Sequence, residues 1–362
     1  MKILLVRLRQ IGDVVFTTPT LAALTDHFPG AQLTYLVEPA AAPVVTGNPH
    51  IARVLVAPRR SGLGGTLDDL RLGGELRRMR FDITIDFHGG PRASLLTWLS
   101  RAPRRVGYEI KGRAWMYTDR VARARELRAR HSVENQWDLL TALGIAPPSR
   151  ERYPADMPVD ARVAAGVRER LTMHGVSETD DIVVMHVSAG NPFRRWPLES
   201  FAEVAAALAA LAPGVRVIIT SGPSEAGAAQ QVIDTARAKL PASTQPAVLD
   251  CGELSLAELR ALTDVAALYI GGDSGPMHIA STSRVPMVSL YGPTLPARSE
   301  PWRALADAAA VEVHGLSCRP CEQRVCVPGD FRCLTGITPD RVIEAATRLL
   351  RGNRLRLRAI QP

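Results

Sequence analysis

Short apolar runs alternate with segments of helical periodicity along most of the chain. The runs have the length of buried strands, and amphipathic helices lie between them. The predicted strands are Lys2–Val6, Leu33–Val37, Val54–Ala57 and Ile83–Phe87 in the first half and Ile182–Val187, Val215–Thr220, Ala247–Leu249, Ala267–Ile270 and Met287–Leu290 in the second. The predicted helices are 17–28, 92–99 and those that begin at Leu198, Ser224, Ser255 and Gly275. This alternation predicts an α/β fold of βαβ units with parallel sheets.

A polar, proline-rich segment, Ala146–Pro158, separates the two series of strands. Because 362 residues are too many for one ordinary core, we predict two Rossmann-like domains, 1–155 and 160–340. A C-terminal helix and basic tail follow at 338–362, with the tail arginines Arg351, Arg354, Arg356 and Arg358. Two open α/β domains in tandem leave a cleft between the carboxyl ends of their sheets, and ligands of such sheets bind there.

Composition and charge argue against some classes of protein. No apolar run approaches the roughly 20 residues of a membrane-spanning helix, and the N-terminus lacks the features of a signal peptide, so we expect a cytoplasmic protein. The net charge is +8, but residues 1–130 contain 21 Lys and Arg against 11 Asp and Glu, whereas residues 131–362 contain 23 against 25. The basic part is either a solvated surface or a surface for a large anionic partner. With 5% aromatic residues and no helix-turn-helix or zinc-finger spacing, nucleic acid is disfavoured.

The loop after the first strand carries Gly12 and then Asp13 at the start of a helix. It lacks the G-x-G-x-x-G of dinucleotide folds, and no P-loop motif occurs in the chain, which argues against an NAD-dependent enzyme and a P-loop NTPase. Asp13 could cap the helix by accepting hydrogen bonds from free backbone N–H groups. Alternatively it could be a general base toward a sugar hydroxyl that attacks an anomeric carbon.

The most specific segment is YIGGDSGPMHIASTSRVPMVSLYGPT, residues 269–294. An apolar strand leads through glycines directly into a helix, whose N-terminal N–H groups could hold a pyrophosphate. Asp273 could cap this helix or accept hydrogen bonds from ligand hydroxyls. His278 lies one helical turn after Ser274 and is either a packed helix residue or part of the same site.

These two segments resemble the ADP-heptose:lipopolysaccharide heptosyltransferases of glycosyltransferase family 9. The opening KILLVRLRQIGDVVFTTPTLAAL is similar to the first strand, G-D turn and helix start of that family, where the aspartate that matches Asp13 is regarded as the catalytic base. Four residues fall without gaps on the family signature D-[ST]-G-x-x-H-[LIV]-A, which binds the nucleotide diphosphate of the donor: Asp273, Ser274, Gly275 and His278.

The resemblance implies the GT-B fold, two Rossmann-like domains that face each other across a cleft, with the acceptor bound mainly by the first and the donor by the second. It implies transfer of heptose from ADP-heptose, with inversion, to a lipopolysaccharide inner core of the Kdo-lipid A type, at the inner membrane surface. No D-x-D is present, so we expect catalysis without a metal cofactor, with Arg194, backbone amides and a helix dipole compensating the diphosphate charge.

Further loops of the second domain match the family less specifically. Ser188 and Arg194 fall near residues that contact the diphosphate, although a solvated basic turn is the alternative and Arg195 could replace Arg194. Glu225 is a candidate ribose contact, and Leu254 is a candidate packing residue beside the base. Ordinary turn and cap chemistry explains the last two equally well.

Acceptor contacts are predicted on charge alone: Arg59, Arg60, Arg104, Arg105, Lys111 and Arg113. Trp115 and Tyr117 either stack on sugar rings or pack in the core.

Four clustered cysteines, Cys318, Cys321, Cys326 and Cys333, have the spacing C-x2-C-x4-C-x6-C. They are interpreted as a structural metal site, as free or packed thiols, or as disulfides.

Other functions remain open at this point. The chain could use another nucleotide-sugar, act as a sugar-nucleotide epimerase or hydrolase, or bind a nucleotide-sugar without turnover. Nucleic-acid binding would show a strong dependence on salt.

Overall fold

The computed structural model describes residues 1–57, 62–124 and 130–360, with side chains for all of these except 63 and 354–360. The chain divides into two compact units, Met1–Pro158 and Val159–Pro362. The division lies at the end of the proline-rich segment. Each unit has its own sheet and its own core.

The first unit is a six-stranded parallel sheet in the order β3-β2-β1-β4-β5-β6. Its strands are β1 (Lys2–Val6), β2 (Gln32–Val37), β3 (Ile51–Val56), β4 (Ile83–Asp86), β5 (Arg104–Tyr108) and β6 (Asp119–Val121). Its helices are α1 (Ile11–Val15), α2 (Thr18–His27), α3 (Gly62–Met79), α4 (Pro91–Leu99) and α5 (Ser132–Thr141).

The second unit is a six-stranded parallel sheet in the order β12-β11-β10-β7-β8-β9. Its strands are β7 (Asp181–His186), β8 (Val215–Thr220), β9 (Val248–Asp250), β10 (Leu268–Gly272), β11 (Met287–Tyr291) and β12 (Ala308–Glu312). Its helices are α6 (Ala161–Met173), α7 (Leu198–Ala209), α8 (Ala226–Ala238), α9 (Leu256–Val265), α10 (Gly275–Ala280), α11 (Pro296–Ser299), α12 (Arg332–Thr335) and α13 (Pro339–Ile360).

The two sheets share one topology. When the strands of each unit are numbered along the chain, both have the doubly wound order 3-2-1-4-5-6. In this order the chain reverses direction across the sheet between the first and fourth strands, and ligands bind beside the carboxyl ends of that pair. The pair is β1 and β4 in the first unit and β7 and β10 in the second. The loops after these four strands are therefore where chemistry is expected.

The central strands are buried because helices cover both faces of each sheet. Residues 3–6 of β1 and 268–270 of β10 are fully buried, and both strands are continuous apolar runs, which is typical of parallel sheets. The apolar pattern stops at the carboxyl ends of the strands. Polar side chains then collect along one edge of each sheet.

The predicted α/β fold with two parallel sheets is confirmed. The predicted helix 17–28 corresponds to α2, Thr18–His27, and the short helix α1, which contains Asp13, precedes it. Three strands have weak sequence signals: β5 begins with two arginines, β6 has three residues, and β12 is mostly alanine, which has low strand propensity.

Helix α13 continues to Ile360 and so includes the predicted basic tail. The side chains of Arg354, Arg356 and Arg358 lie outside the described residues. Among the helices of the described part, none is both long and apolar enough to cross a membrane.

Candidate functional site

Asp13 lies in the first turn of α1, directly after β1, and is not the N-cap of that helix, which is Gln10. The Asp13 carboxylate pairs with the Arg7 guanidinium, and 37% of its side-chain surface is exposed. Arg7 is held in turn by a hydrogen bond from its Nη1 to the carbonyl oxygen of Phe87, 2.6 Å away, which follows β4. The ion pair thus joins the two loops at the reversal point of the first sheet.

Asp86, the last residue of β4, is fully buried beneath these loops. One of its oxygens accepts hydrogen bonds from the backbone N–H groups of His88 and Gly89, and the other accepts one from the Tyr117 hydroxyl at 2.6 Å. Burial raises the pKa of Asp86, although these hydrogen bonds and the Arg7 charge act in the opposite direction. Asp86 therefore shapes the loop, and Tyr117, which is 2% exposed, packs beside it.

A cavity of about 200 Å³ lies at the same edge and is lined by Arg9, Glu38, His88 and Arg92, among others. Glu38 and Arg92 form an ion pair with an N–O distance of 3.1 Å. Burial and the charges of Arg7 and Arg9 lower the pKa of His88 to about 4, so the imidazole is neutral at pH 7. The cavity thus combines a carboxylate, guanidinium groups and a neutral imidazole, which are hydrogen-bonding groups suited to sugar hydroxyls and anionic substituents.

In the second unit, the loop after β7 is fixed by a chain of hydrogen bonds. The Ser188 hydroxyl bonds to His186 Nε2 at 3.0 Å and accepts the Gly222 N–H at 2.9 Å. His186 Nδ1 bonds to the Thr220 hydroxyl at 3.0 Å. Burial lowers the pKa of His186 to about 4, so this residue is a neutral connector between the ends of β7 and β8.

Asp273 directly follows β10 and is almost fully buried, with 3% of its side chain exposed. Its Oδ1 is 3.3 Å from His278 Nε2 and accepts the Ser299 hydroxyl at 3.0 Å. Its Oδ2 accepts the Thr294 hydroxyl at 2.6 Å and pairs with Arg194 Nη1 at 3.2 Å. Four donors therefore occupy the lone-pair positions of this carboxylate, so it orients its neighbours.

These contacts decide the charge of Asp273. Burial alone would raise its pKa, but the hydrogen bond and charge of His278, the charge of Arg194 and the Thr294 hydrogen bond hold the pKa of Asp273 well below its usual range. Asp273 is thus an anion at neutral pH.

Arg194 ends a short turn, Pro192–Arg194, beside Asp273. Its Nη1 also donates to the Asp273 carbonyl oxygen at 3.0 Å, and its Nε donates to Gln323 Oε1 at 2.7 Å. Gly272 favours the close approach of the Arg194 turn to β10, because a Cβ at position 272 would make a tight contact, 3.2 Å, with the Arg194 carbonyl oxygen. Within the described residues, the other terminal nitrogen, Nη2, makes no hydrogen bond or ion pair, so one edge of the guanidinium is available to a ligand.

Ser274 is the N-cap of α10, but its side chain does not cap the helix. The hydroxyl is buried and has no hydrogen-bond partner among the described residues. A buried hydroxyl without a partner costs free energy, which makes it a candidate ligand contact. Gly275, the next residue, starts the helix and is partly exposed.

The other predicted donor residues lie at the same edge of the second sheet. Glu225 follows β8 and pairs with Arg195, so this arginine has a different partner from Arg194. Leu254 follows β9 and is partly exposed. The fold therefore places Ser188, Arg194, Glu225 and Leu254 on loops that follow strands, as the sequence predicts.

The predicted acceptor residues fall into two groups. Arg104 and Arg105 begin β5 and so lie at the amino edge of the first sheet, opposite the Asp13 loop. Arg104 pairs with Asp119 at 3.0 Å, and Arg105 Nε donates to the Met116 carbonyl oxygen at 2.8 Å. These two arginines have structural partners and are remote from Asp13.

Lys111 and Arg113 follow β5 and lie at the same edge as Asp13. Arg113 Nη2 donates to the Gly89 carbonyl oxygen at 3.2 Å. Arg59 and Arg60 lie outside the described residues. Trp115 is 56% exposed.

All five cysteines lie in the described part of the chain and are free thiols, so the disulfide interpretation is wrong. Cys318, Cys321, Cys326 and Cys333 line one cavity of about 390 Å³. Within the described residues, no group of three or more His, Cys, Asp or Glu side chains could hold a metal ion. The interpretation of the cluster as a structural metal site is therefore not supported.

These networks contain residues that were not predicted from the sequence, and four examples are Arg7, Asp86, His186 and Gln323. The first three follow or end strands of the two reversal points, so the rule that ligand loops follow such strands could have found them. Gln323 has no comparable signal, because it contacts Arg194 from 129 positions away.

Comparisons with known proteins agree with this arrangement. The sequence model of glycosyltransferase family 9 (heptosyltransferase) matches residues 70–330, which include the Asp273 site but not Asp13. Lipopolysaccharide heptosyltransferase 3 of Escherichia coli K12 is 27% identical over 303 residues, which are 82% of this chain and 83% of that protein.

Two solved structures are similar over nearly their whole length. A family 9 glycosyl transferase from Veillonella parvula has a TM-score of 0.83 and 27% identity and covers 97% of both chains. E. coli ADP-heptose lps heptosyltransferase II has a TM-score of 0.78 and 21% identity and covers 98% of this chain and 100% of its own. The predicted fold class, Rossmann-like units of the GT-B type, is confirmed by these likenesses. The chain is a glycosyltransferase and belongs to glycosyltransferase family 9, the heptosyltransferase family.

Proposed function

We propose that this enzyme transfers heptose from ADP-heptose to an anionic lipopolysaccharide inner-core acceptor, with inversion and without a metal cofactor. The observation that carries the proposal is the Asp273 site. There a buried carboxylate fixes a guanidinium and an imidazole beside the start of α10, where a buried serine hydroxyl has no hydrogen-bond partner among the described residues. These groups form a ready-made site for the diphosphate of a nucleotide-sugar.

The donor would be bound by the second unit. Arg194 offers the phosphates its free edge, Ser274 offers its hydroxyl, and backbone N–H groups lie at the start of α10. As the bond to the sugar breaks, negative charge grows on the leaving diphosphate. Fixed positive groups then stabilise the transition state more than the ground state, which is the role that a divalent metal has in other transferases.

The acceptor hydroxyl would be activated by Asp13. Its carboxylate takes the proton of the hydroxyl, whose oxygen forms a bond to the anomeric carbon of the donor. The bond from that carbon to the diphosphate oxygen breaks, and the nucleoside diphosphate leaves with the electron pair. A single displacement of this kind inverts the configuration. Arg7 keeps the carboxylate in place.

The acceptor would lie along the carboxyl edge of the first sheet. Arg9, Lys111 and Arg113 supply positive charge there, and the cavity with Glu38 and His88 has room for one small group. Of the residues predicted on charge, Lys111 and Arg113 fit this placement, and Arg104 and Arg105 lie at the other edge. Since the acceptor is a lipid, we expect the enzyme to work at the inner membrane surface.

A panel of nucleotide-sugars tests the proposal. Purified protein is incubated with ADP-heptose, ADP-glucose, UDP-glucose and UDP-N-acetylglucosamine, with and without a Kdo-lipid A type acceptor, and products are identified by mass spectrometry. The proposal expects a mass gain of one heptose on the acceptor, only with ADP-heptose and only when the acceptor is present. Equal release of nucleotide without acceptor would indicate a hydrolase, and conversion of the donor sugar would indicate an epimerase.

A further inference from the structure

Residues 315–331, which contain three of the four clustered cysteines and are named here the cysteine loop, have no regular secondary structure and no role in the proposed reaction. The loop nevertheless contacts the Arg194 turn directly. Gln323 Oε1 accepts hydrogen bonds from Arg194 Nε at 2.7 Å and from Asn191 Nδ2 at 2.8 Å. An amide oxygen has two lone pairs, so both are used on the two ends of this one turn.

The backbone of the loop is shaped for this contact. Gln323 and Phe331 both have left-handed backbones, with φ of 56° and 51°, which non-glycine residues rarely adopt. Both residues contact the same turn: the Phe331 ring packs against Phe193 with a centroid distance of 5.4 Å. Unfavourable backbone conformations persist only where surrounding contacts hold them, and they often mark functional positions.

The cysteine loop also acts on Asp273 indirectly, through Arg319 and Thr294. Arg319, which is 5% exposed, pairs with Glu312 at 2.7 Å and donates to the Thr294 carbonyl oxygen at 2.6 Å. Thr294 in turn donates its hydroxyl to Asp273. The loop thus fixes both members of the Arg194–Asp273 pair.

We infer that the cysteine loop is a positioning element of the donor site, in which Gln323 orients the Arg194 guanidinium toward the donor diphosphate. With Nε bonded to Gln323 and Nη1 to Asp273, the guanidinium plane is fixed and only the Nη2 edge faces a ligand. An arginine held in this way loses less side-chain entropy when it binds a phosphate, so the affinity is higher. The inference rests on the proposed function, because it assigns Arg194 to the diphosphate.

The test compares Gln323→Leu with Val327→Ala, a change at an 89% exposed position of the same loop. Binding of ADP is measured by calorimetry, and steady-state transfer gives kcat and KM for the donor. We expect Gln323→Leu to weaken ADP binding about tenfold, as a lost hydrogen bond to a charged group does. The kcat/KM for the donor should fall by at least the same factor, because Arg194 also faces the charge that grows on the leaving diphosphate. Val327→Ala should behave as the wild type.

A double-mutant cycle separates positioning from a general effect on folding. If Gln323 acts through Arg194, then Gln323→Leu costs nothing further once Arg194 is alanine. Additive losses in the double variant would overturn the inference, as would normal ADP affinity in Gln323→Leu. If Gln323→Leu does not fold, Gln323→Glu provides the test: its carboxylate neutralises Arg194 and should weaken ADP binding, and unchanged affinity would overturn the inference. If the wild type binds no ADP, it is the proposed function that fails.

Discussion

The two sheets have the same strand order, yet the buried carboxylates at the carboxyl ends of their fourth strands, Asp86 and Asp273, have opposite pKa shifts. Within the described part of the chain, the hydrogen-bond donors in contact with Asp86 are neutral, a tyrosine hydroxyl and two backbone N–H groups, and burial raises the pKa of Asp86. Asp273 has a guanidinium and an imidazole in direct contact, and its pKa is held well below the usual range. The shared topology therefore places a carboxylate at the carboxyl end of the fourth strand in each sheet, and the charges of the neighbouring groups determine the direction of its pKa shift.

Because of this difference, the carboxylates of the two units have different roles in the proposed reaction. In the first, the buried Asp86 holds a loop, and Asp13, whose side chain is 37% exposed, is the carboxylate that we propose as the base. In the second, the buried Asp273 carboxylate holds Arg194 and His278 beside the site where a diphosphate would bind. The proposed base and the proposed anion site thus lie in two units that have the same strand order.

The largest expected effect is on transfer when the base is removed. Asp13→Ala should reduce kcat by about 10²–10⁴-fold, the usual contribution of a general base. Transfer is measured with saturating donor and acceptor. Asp26→Ala, at another half-exposed, arginine-paired aspartate of the same unit, is the control and should retain activity. Turnover close to that of the wild type in Asp13→Ala would remove Asp13 from the mechanism.

The second-largest expected effect is on the affinity for the donor nucleotide. Arg194→Ala should weaken ADP binding about 10–100-fold, because a charge-assisted hydrogen bond contributes about 1.5–3 kcal/mol. Arg216→Ala is a matched control: Arg216 is equally buried and also pairs with an aspartate, Asp180, but lies at the amino end of β8. Equal losses in both variants would show that the effect is not local to the site.

The stabilities of variants at the two buried carboxylates, Asp273 and Asp86, should depend on pH in opposite directions. The low pKa of Asp273 contributes stability above the unfolded-state pKa of about 3.9, and this stability is lost as the pH falls toward the folded-state pKa. Asp273→Asn should therefore be most destabilising near pH 7, by about 3 kcal/mol, and less so toward pH 3. For Asp86, whose pKa is raised, the ionised form carries a cost that grows as the pH rises above 3.9, so Asp86→Asn should become relatively more favourable toward pH 7.

Urea unfolding from pH 3 to pH 7 measures both variants. Parallel pH profiles for the two would contradict the assigned shifts.

The smallest effect concerns the acceptor. Arg113→Ala should raise the acceptor KM several-fold by removing one positive charge beside the Asp13 loop, an interaction of about 1 kcal/mol at a partly exposed site. Arg104→Ala, at the opposite edge of the same sheet, should leave the acceptor KM unchanged. The reverse result would place the acceptor at the amino edge.

The sequence predicts much of this molecule, and the limits have physical causes. The strands around both reversal points are long apolar runs, so their order and the loops after them could be predicted. The strands β5, β6 and β12 could not, because their own residues favour strands weakly and neighbouring strands stabilise them. The motifs predict Asp13 and Asp273 as site residues. They do not predict that donors occupy all the lone-pair positions of Asp273, because Thr294 and Ser299 are 21 and 26 positions away in the sequence.

The central claim is that catalysis and donor binding reside in different units. Calorimetric titration of ADP into Asp13→Ala tests it directly. The account predicts the same Kd for ADP as in the wild type, in a protein that no longer transfers sugar. A Kd raised tenfold or more in this variant, with its thermal stability unchanged, would contradict that division.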